Sequence, residues 1–244
     1  MFLFSDFDNT IFFQGEFEKT DKNLAAIKKW KAAGHRFCVI TGRSYRSVTS
    51  DMPEIKTLSD FYILDHGSII LNQDGALVHS SCFSPQSVTK IVNFSKTLKE
   101  NPIVYYYATD FEGFTHQTDN ITKLRIWVKD QSALDSVAEK MSIFPNSIYK
   151  WFNAVSRHKE LNGYEGLLDI MPVSSGKAQA INFLTQTEGV RPEDVITVGD
   201  DTNDYEMLEA FDGYMVDGSN LSKHHAPFKS VASLATLVDI YLKK

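Results

Sequence analysis

Two apolar runs far apart in the chain stop in the same way. Phe2-Leu3-Phe4-Ser5 gives way to Asp6-Phe7-Asp8-Asn9-Thr10, and the run over residues 194–198 gives way to Gly199-Asp200-Asp201-Thr202-Asn203-Asp204. A short stretch that is apolar at nearly every position suits a strand covered on both faces, the condition of a parallel sheet flanked by helices. Side chains on a strand repeat every second residue, so Asp6 and Asp8 fall on one side if the extended geometry continues past the strand end. At an effective dielectric of about 20, two like charges about 4 Å apart repel by roughly 4 kcal/mol, so a cation, a proton or water must accompany such a pair. Taken alone, each ending is also what a polar turn or an acidic helix start looks like. The remainder of the chain has to decide.

Leu24, Ile27 and Trp30 mark a helical face that ends at Gly34, with Thr20 and Asp21 as the expected N-cap. Residues 36–40 form a second buried run that ends at Thr41-Gly42-Arg43-Ser44. That strand-helix-strand unit predicts a right-handed crossover in a parallel sheet, with ligands bound beyond the carboxyl ends of the strands. Residues 61–64 read as a third strand, whose end at Asp65-His66-Gly67 makes His66 a turn histidine. A hairpin around Asp74-Gly75 follows. The alternation then lapses. A helix opened by Ser84-Pro85, another over 132–141, and strand-like runs at 103–108, 124–128, 147–152 and 166–170 predict an α+β insert. Tyr105, Tyr106, Tyr107, Phe114, Trp127, Trp151 and Phe152 make it aromatic, which at strand spacing points to core packing more than to a ring-binding pocket. Alternation returns with helices over 176–188, 205–210 and 233–242 and strands over 194–198 and 214–216. The expected architecture is therefore α/β: a Rossmann-like parallel-sheet core over 1–79 and 169–244, and an α+β domain over 80–168.

At 244 residues, with 43% apolar and 23% charged residues, the chain has the makeup of a globular protein. A net charge of −6 with no Lys/Arg cluster argues against nucleic acid as a partner. Cys38 and Cys82 have neither disulfide-framework nor metal-site spacing, and Cys38 reads as a small core residue. No apolar stretch approaches the roughly 20 residues of a membrane helix, and the N-terminal run meets Asp6 too early for a signal peptide. These features predict a cytoplasmic protein without a membrane partner; a monomer or weak dimer is expected, though no feature of the sequence carries the oligomeric state.

If both acidic endings lie on one sheet rim, oxygens of Asp6 and Asp200 suit a hard octahedral cation such as Mg²⁺, which leaves coordination sites for phosphate oxygens. Lys177, at a helix start, supplies a point charge. The Thr41 hydroxyl and the N–H groups of Gly42 and Arg43 complete a pocket for a doubly charged phosphate. In such a pocket one aspartate can attack phosphorus while another handles the leaving-group proton.

In their order along the chain, Asp6-x-Asp8-x-Thr10, Thr41, Lys177 and Gly199-Asp200-x-x-Asn203-Asp204 resemble the four motifs of the haloacid dehalogenase (HAD) superfamily. The insert resembles the C2 cap of its Cof-type subfamily, class IIB. The resemblance implies a Mg²⁺-dependent phosphatase acting on a small phosphorylated metabolite, a sugar phosphate before flavin or pyridoxal phosphates, beneath a cap that closes. It implies that Asp6 is the nucleophile and Asp8 the general acid and base. Thr41 and Lys177 are the implied holders of the phosphoryl oxygens; Gly42, Arg43 and Asn203 are further phosphate-binding candidates, and Arg43 also reads as a solvated helix-start residue. The implied metal site draws on Asp6, Asp8 through its backbone carbonyl, and Asp200, with Asp204 as a ligand or a support. Asn9 stands where the family commonly has Gly, a swap that a left-handed turn tolerates. His66-Gly67-Ser68 and Asp217-Gly218-Ser219-Asn220 also depart from the usual Asn-Gly-Ala and Gly-Asn-Ala, away from the chemistry. A mutase or phosphotransferase on the same core, and a non-catalytic Mg²⁺ or phosphate sensor, are the alternatives. Phosphate release would separate the first from a phosphatase, and the intact Asp8 and Lys177 argue against the second.

Overall fold

The computed structural model describes residues 1–108, 111–113, 119–144, 147–151, 154, 159–224 and 226–243. Phe114 and Phe152 lie outside the described residues. In chain order the elements begin with β1 (Phe2–Asp6), α1 (Phe17–Ala32), β2 (Arg36–Ile40), α2 (Tyr45–Asp51), α3 (Ile55–Leu58), β3 (Phe61–Leu64), β4 (Ile69–Asn72) and β5 (Leu77–Ser80). They continue with α4 (Pro85–Ser95), β6 (Ile103–Ala108), β7 (Phe111–Gly113), β8 (Ile121–Val128), α5 (Gln131–Met141), β9 (Ser147–Trp151) and β10 (Gly166–Met171). The last are α6 (Lys177–Thr187), β11 (Val195–Gly199), α7 (Tyr205–Ala210), β12 (Asp212–Val216), α8 (Asn220–Lys223), β13 (Lys229–Val231) and α9 (Leu234–Leu242).

Two compact units result, one of residues 1–79 and 176–244 and the other of 80–175. The first carries an eight-stranded sheet in the order β13-β12-β11-β1-β2-β3-β4-β5. It is parallel from β13 through β3 and turns antiparallel at β4. Alternation along the central strands explains why their sequences are apolar throughout. Leu3, Phe37, Val39, Ile196 and Val198 pack with Leu24, Ile27 and Trp30 of α1 and Leu234, Leu237 and Val238 of α9. Phe2, Phe4, Cys38, Ile40 and Val195 pack in a second cluster with Ala180, Ile181 and Leu184 of α6 and Met207 and Leu208 of α7. Cys38 is a fully buried free thiol, as its apolar neighbours suggested.

The second unit is a five-stranded sheet in the order β7-β6-β8-β10-β9, with antiparallel pairings throughout. Leu124, Ile126, Val128, Leu168 and Ile170 pack with Val88, Ile91 and Val92 of α4 and Leu134, Val137 and Met141 of α5. Tyr105 and Trp127 join Leu161 and Leu167 in a separate buried cluster. Those two aromatics are core residues. The unit runs past the expected end at 168 to Ser175 because β10 pairs with both β8 and β9.

Helix α1 starts before Thr20, correcting the expected cap. Thr20 is buried inside the helix, and its hydroxyl accepts a hydrogen bond from the Phe13 amide at 3.0 Å. Ser84 and Ser233 do cap their helices, accepting from the amides of Ser87 and Thr236. Among the described residues no helix is long and apolar enough to cross a membrane.

Candidate active site

The carboxyl ends of three neighbouring strands, β11, β1 and β2, carry the site. Asp6 closes β1 opposite Ile40 of β2, so Thr41 follows on the adjacent strand end. On the other side Ser5 pairs with Val198, which brings Asp200, one residue past the end of β11, level with the end of β1. Lys177 is the first residue of α6, and Asp204 ends the short turn Thr202–Asp204 that leads into α7.

The side chains converge as the strand ends require. Carboxylate oxygens of Asp6, Asp200 and Asp204 all lie within 4.8 Å of one another, and all three residues are buried. The Lys177 ammonium, itself buried, donates to Asp6 Oδ1 at 2.6 Å and to Asp204 Oδ1 at 2.5 Å. Of its three N–H donors one is left to point elsewhere. The other oxygen of Asp204 accepts from the amides of Asp200 at 2.9 Å and Asp201 at 3.1 Å. Asp204 is thereby held on both oxygens by the chain itself, which makes it a support for its neighbours. A Cβ at position 199 would come within 2.5 Å of that carboxyl group, so only glycine lets Asp204 approach the strand end.

Three buried carboxylates against one ammonium form an electrostatically unbalanced cluster. Burial first, and then the charge of Asp204, push the Asp6 carboxyl well above the usual range, with Lys177 pulling the other way. Burial, then Asp204 and Asp201, push Asp200 up to about 7. Burial pulls the Lys177 ammonium down, but Asp204 and Asp6 outweigh it and hold the proton more tightly than usual. With every group ionised the formal sum is three negative charges against one positive. A divalent, oxygen-preferring cation supplies the missing two, so the donor set fits Mg²⁺ in charge and in chemistry.

The loop after β1 is a closed turn in which the Phe7 carbonyl accepts from the amides of Ile11 at 3.0 Å and Phe12 at 2.9 Å. Asn9 sits there with φ 55°, the left-handed conformation expected of it. Its side chain, near Asp200, favours the ionised form of that group, a role the sequence did not reveal. Thr41 is buried; its amide donates to the Ile63 carbonyl at 2.9 Å, and its hydroxyl accepts from the Arg43 amide at 3.1 Å. Gly42 lies against the imidazole of His66, which a Cβ at position 42 would strike. His66 is therefore a buried packing residue with φ 54° in the turn after β3.

Two expected members stand apart. The Asp8 carboxylate is outside the Asp6/Asp200/Asp204 group and is held by Arg43 through Nε at 2.8 Å and Nη2 at 2.5 Å. Arg43, expected at the phosphate, is thereby committed to carboxylates, with Asp51 accepting from Nη1 at 2.6 Å. Asn203 lies half-buried in the turn before α7.

The chain is similar to known proteins along most of its length. A protein of Mycoplasma capricolum subsp. capricolum without a characterised function is 25% identical over 232 residues, covering 86% of this chain and 87% of that one. The 5-amino-6-(5-phospho-D-ribitylamino)uracil phosphatase YitU of Bacillus subtilis is 23% identical over 78% of this chain and 76% of its own length. A HAD subclass IIB sugar phosphatase of known structure, 15% identical, superimposes with a TM-score of 0.74 over 99% of this chain and 98% of its own, which establishes a shared fold. A sequence profile matches residues 3–228, from the first residues of β1 to just before β13, and with motifs, topology and site in agreement the chain belongs to the haloacid dehalogenase-like hydrolase family.

Proposed function

We propose that the protein is a Mg²⁺-dependent phosphatase that hydrolyses a small phosphorylated metabolite through an aspartyl-phosphate on Asp6. The observation that carries this reading is the buried Asp6/Asp200/Asp204 cluster, three carboxylates gathered around the single ammonium of Lys177 at the strand ends. A structural ion-pair network does not call for two more buried carboxylates than ammonium groups. A site that receives both a divalent cation and a phosphate does.

In this reading Asp6 and Asp200 hold the cation, together with the Asp8 backbone carbonyl, while Asp204 fixes Lys177. When bound, Mg²⁺ neutralises the carboxylates and draws charge from the phosphate oxygens. Asp6 Oδ1 is kept in place by Lys177, and an oxygen of this carboxylate attacks phosphorus. The third N–H of Lys177 and the Thr41 hydroxyl receive phosphoryl oxygens, which carry their greatest charge as the ester bond breaks. Asp8 gives its proton to the leaving oxygen and then accepts one from the water that hydrolyses the acyl phosphate. Gly42 keeps the phosphate loop close to the sheet because the His66 ring occupies the space a side chain would need.

A sugar phosphate is the favoured substrate class, since one structural relative is named as a sugar phosphatase. The ribitylaminouracil phosphatase adds a polyol phosphate bearing a pyrimidine. A panel of sugar, polyol, flavin and pyridoxal phosphates, assayed for inorganic phosphate with Mg²⁺ and again with EDTA, tests the reading. Metal-dependent release on at least one member is expected, and Asp6→Asn should abolish it. No release on any substrate with Mg²⁺ would favour a sensing module, and isomerised sugar phosphate without release would favour a mutase.

A further inference from the structure

The Asp8 side chain is 43% exposed, yet it is not free to choose its orientation. Arg43 grips both of its oxygens in a two-point fork, Nε to Oδ2 at 2.8 Å and Nη2 to Oδ1 at 2.5 Å. The third nitrogen of the same guanidinium, Nη1, donates to Asp51 Oδ2 at 2.6 Å and to the Ser47 hydroxyl at 3.4 Å, both on α2. Its carbon lies 5.2 Å from the ring centroid of Phe7 and 5.7 Å from that of Phe12. Those two rings stack on one another at 5.3 Å, so the guanidinium sits against an aromatic wall made by the turn that carries Asp8. A planar fork anchored at one end to a helix and on its face to aromatic rings fixes direction as well as charge, which lysine cannot do.

We propose that Arg43, anchored by Asp51, is a positioning residue that aims the Asp8 carboxyl group at the leaving oxygen, and is not a phosphate ligand. The inference rests on the phosphatase reading. In the first step an oxygen of Asp6 forms the new bond to phosphorus and the ester P–O bond breaks. Its electron pair stays on the leaving oxygen, which takes the proton from Asp8. To carry that proton one Asp8 oxygen lets go of its N–H in the fork, while the other remains held and acts as the pivot.

Leaving-group chemistry separates aiming from binding. A p-nitrophenolate departs without a proton, whereas the alkoxide of glycerol 3-phosphate needs one. Arg43→Lys and Asp51→Asn are therefore compared with wild type on glycerol 3-phosphate and p-nitrophenyl phosphate, by kcat/KM. General acid catalysis contributes about 10²–10⁴-fold; we expect Arg43→Lys to lose about 10–100-fold on the alkyl ester and less than about 3-fold on the aryl ester. Asp51→Asn, remote from the substrate, should show the same selectivity at smaller size. Equal losses on both esters, or a loss dominated by weaker inhibition by inorganic phosphate, would overturn the proposal. A crystal structure of Asp51→Asn is the second arm and does not depend on turnover. A displaced Asp8 carboxylate supports the clamp, and an unmoved one refutes it. Failure of wild type on both esters and on the wider panel would instead refute the phosphatase reading, leaving the crystallographic arm to decide the clamp.

Discussion

Removing a buried acid at the strand ends should make the metal-free protein more stable. Asp200 is buried, and its carboxyl is pushed from an ordinary 3.8 up to about 7 by that burial and by Asp204 and Asp201. Each pH unit between those values corresponds to 1.36 kcal/mol, so the ionised form is disfavoured in the fold by about 4 kcal/mol as a ceiling. The sign follows from the raised value. The folded protein binds the Asp200 proton more tightly than the unfolded chain, so its contribution to stability is intact below about pH 4 and is lost as pH rises through about 7. Asp200→Asn imitates the protonated carboxyl without its titration. In EDTA at pH 8 the variant should melt above wild type, and at about 2–4 °C per kcal/mol even half of the ceiling is a shift of several degrees. Near pH 4 the two should melt together. Adding Mg²⁺ reverses the order at pH 8, because wild type gains a ligand that neutralises the cluster and the variant has lost a carboxylate that holds it. Thermal denaturation followed by circular dichroism, at pH 4, 6 and 8 with EDTA or Mg²⁺, measures all of this. A variant that melts below wild type in EDTA at pH 8, by a margin that does not change with pH, would refute the electrostatic reasoning.

Gly42→Ala places a methyl group on the His66 ring and must displace the loop that follows Thr41, so inhibition by inorganic phosphate should weaken by at least about tenfold (1.4 kcal/mol), while melting changes far less than a collapsed core would give. Asn9→Gly keeps the left-handed turn at φ 55° but removes the side chain that favours the ionised Asp200 carboxyl. Mg²⁺ affinity, read by calorimetry, should fall at pH 6 more than at pH 8, since that amide favours the ionised carboxylate; an unchanged affinity at both would remove Asn9 from the site.

The convergence of Asp6, Asp200 and Lys177 was legible because it follows from topology. Buried runs that alternate with helices force parallel strands, and parallel strands put their carboxyl ends on one rim. Cys38, Tyr105 and Trp127 were legible as core residues for the same reason, a periodicity that local sequence carries. Other features were not legible. The Arg43 fork on Asp8 joins side chains 35 positions apart through a rotamer choice, and the motif position of Arg43 pointed to phosphate instead. The influence of Asn9 on Asp200 and the seat of His66 on Gly42 likewise depend on how loops fold back, and residue type alone does not report that. The expected end at 168 cuts the strand-like run 166–170 in two, because an apolar run does not report its partners; antiparallel pairing with β8 and β9 keeps the whole of β10 in the second sheet. Short elements such as β13, three residues of which only Val231 is buried, offer too few positions for any period to emerge. The start of α1 was displaced because Thr20 resembles a cap, whereas its hydroxyl serves the preceding loop.

The covalent step tests the account most directly. Wild-type protein turning over its best substrate with Mg²⁺ is quenched within the first turnover, treated with borohydride to reduce any acyl phosphate, digested and sequenced by mass spectrometry. Reduction of Asp6 alone to homoserine, absent without substrate and absent in Asp6→Asn, is the predicted result. Steady turnover with the reduced residue at Asp8 or Asp200, or undiminished turnover by Asp6→Asn, would contradict it.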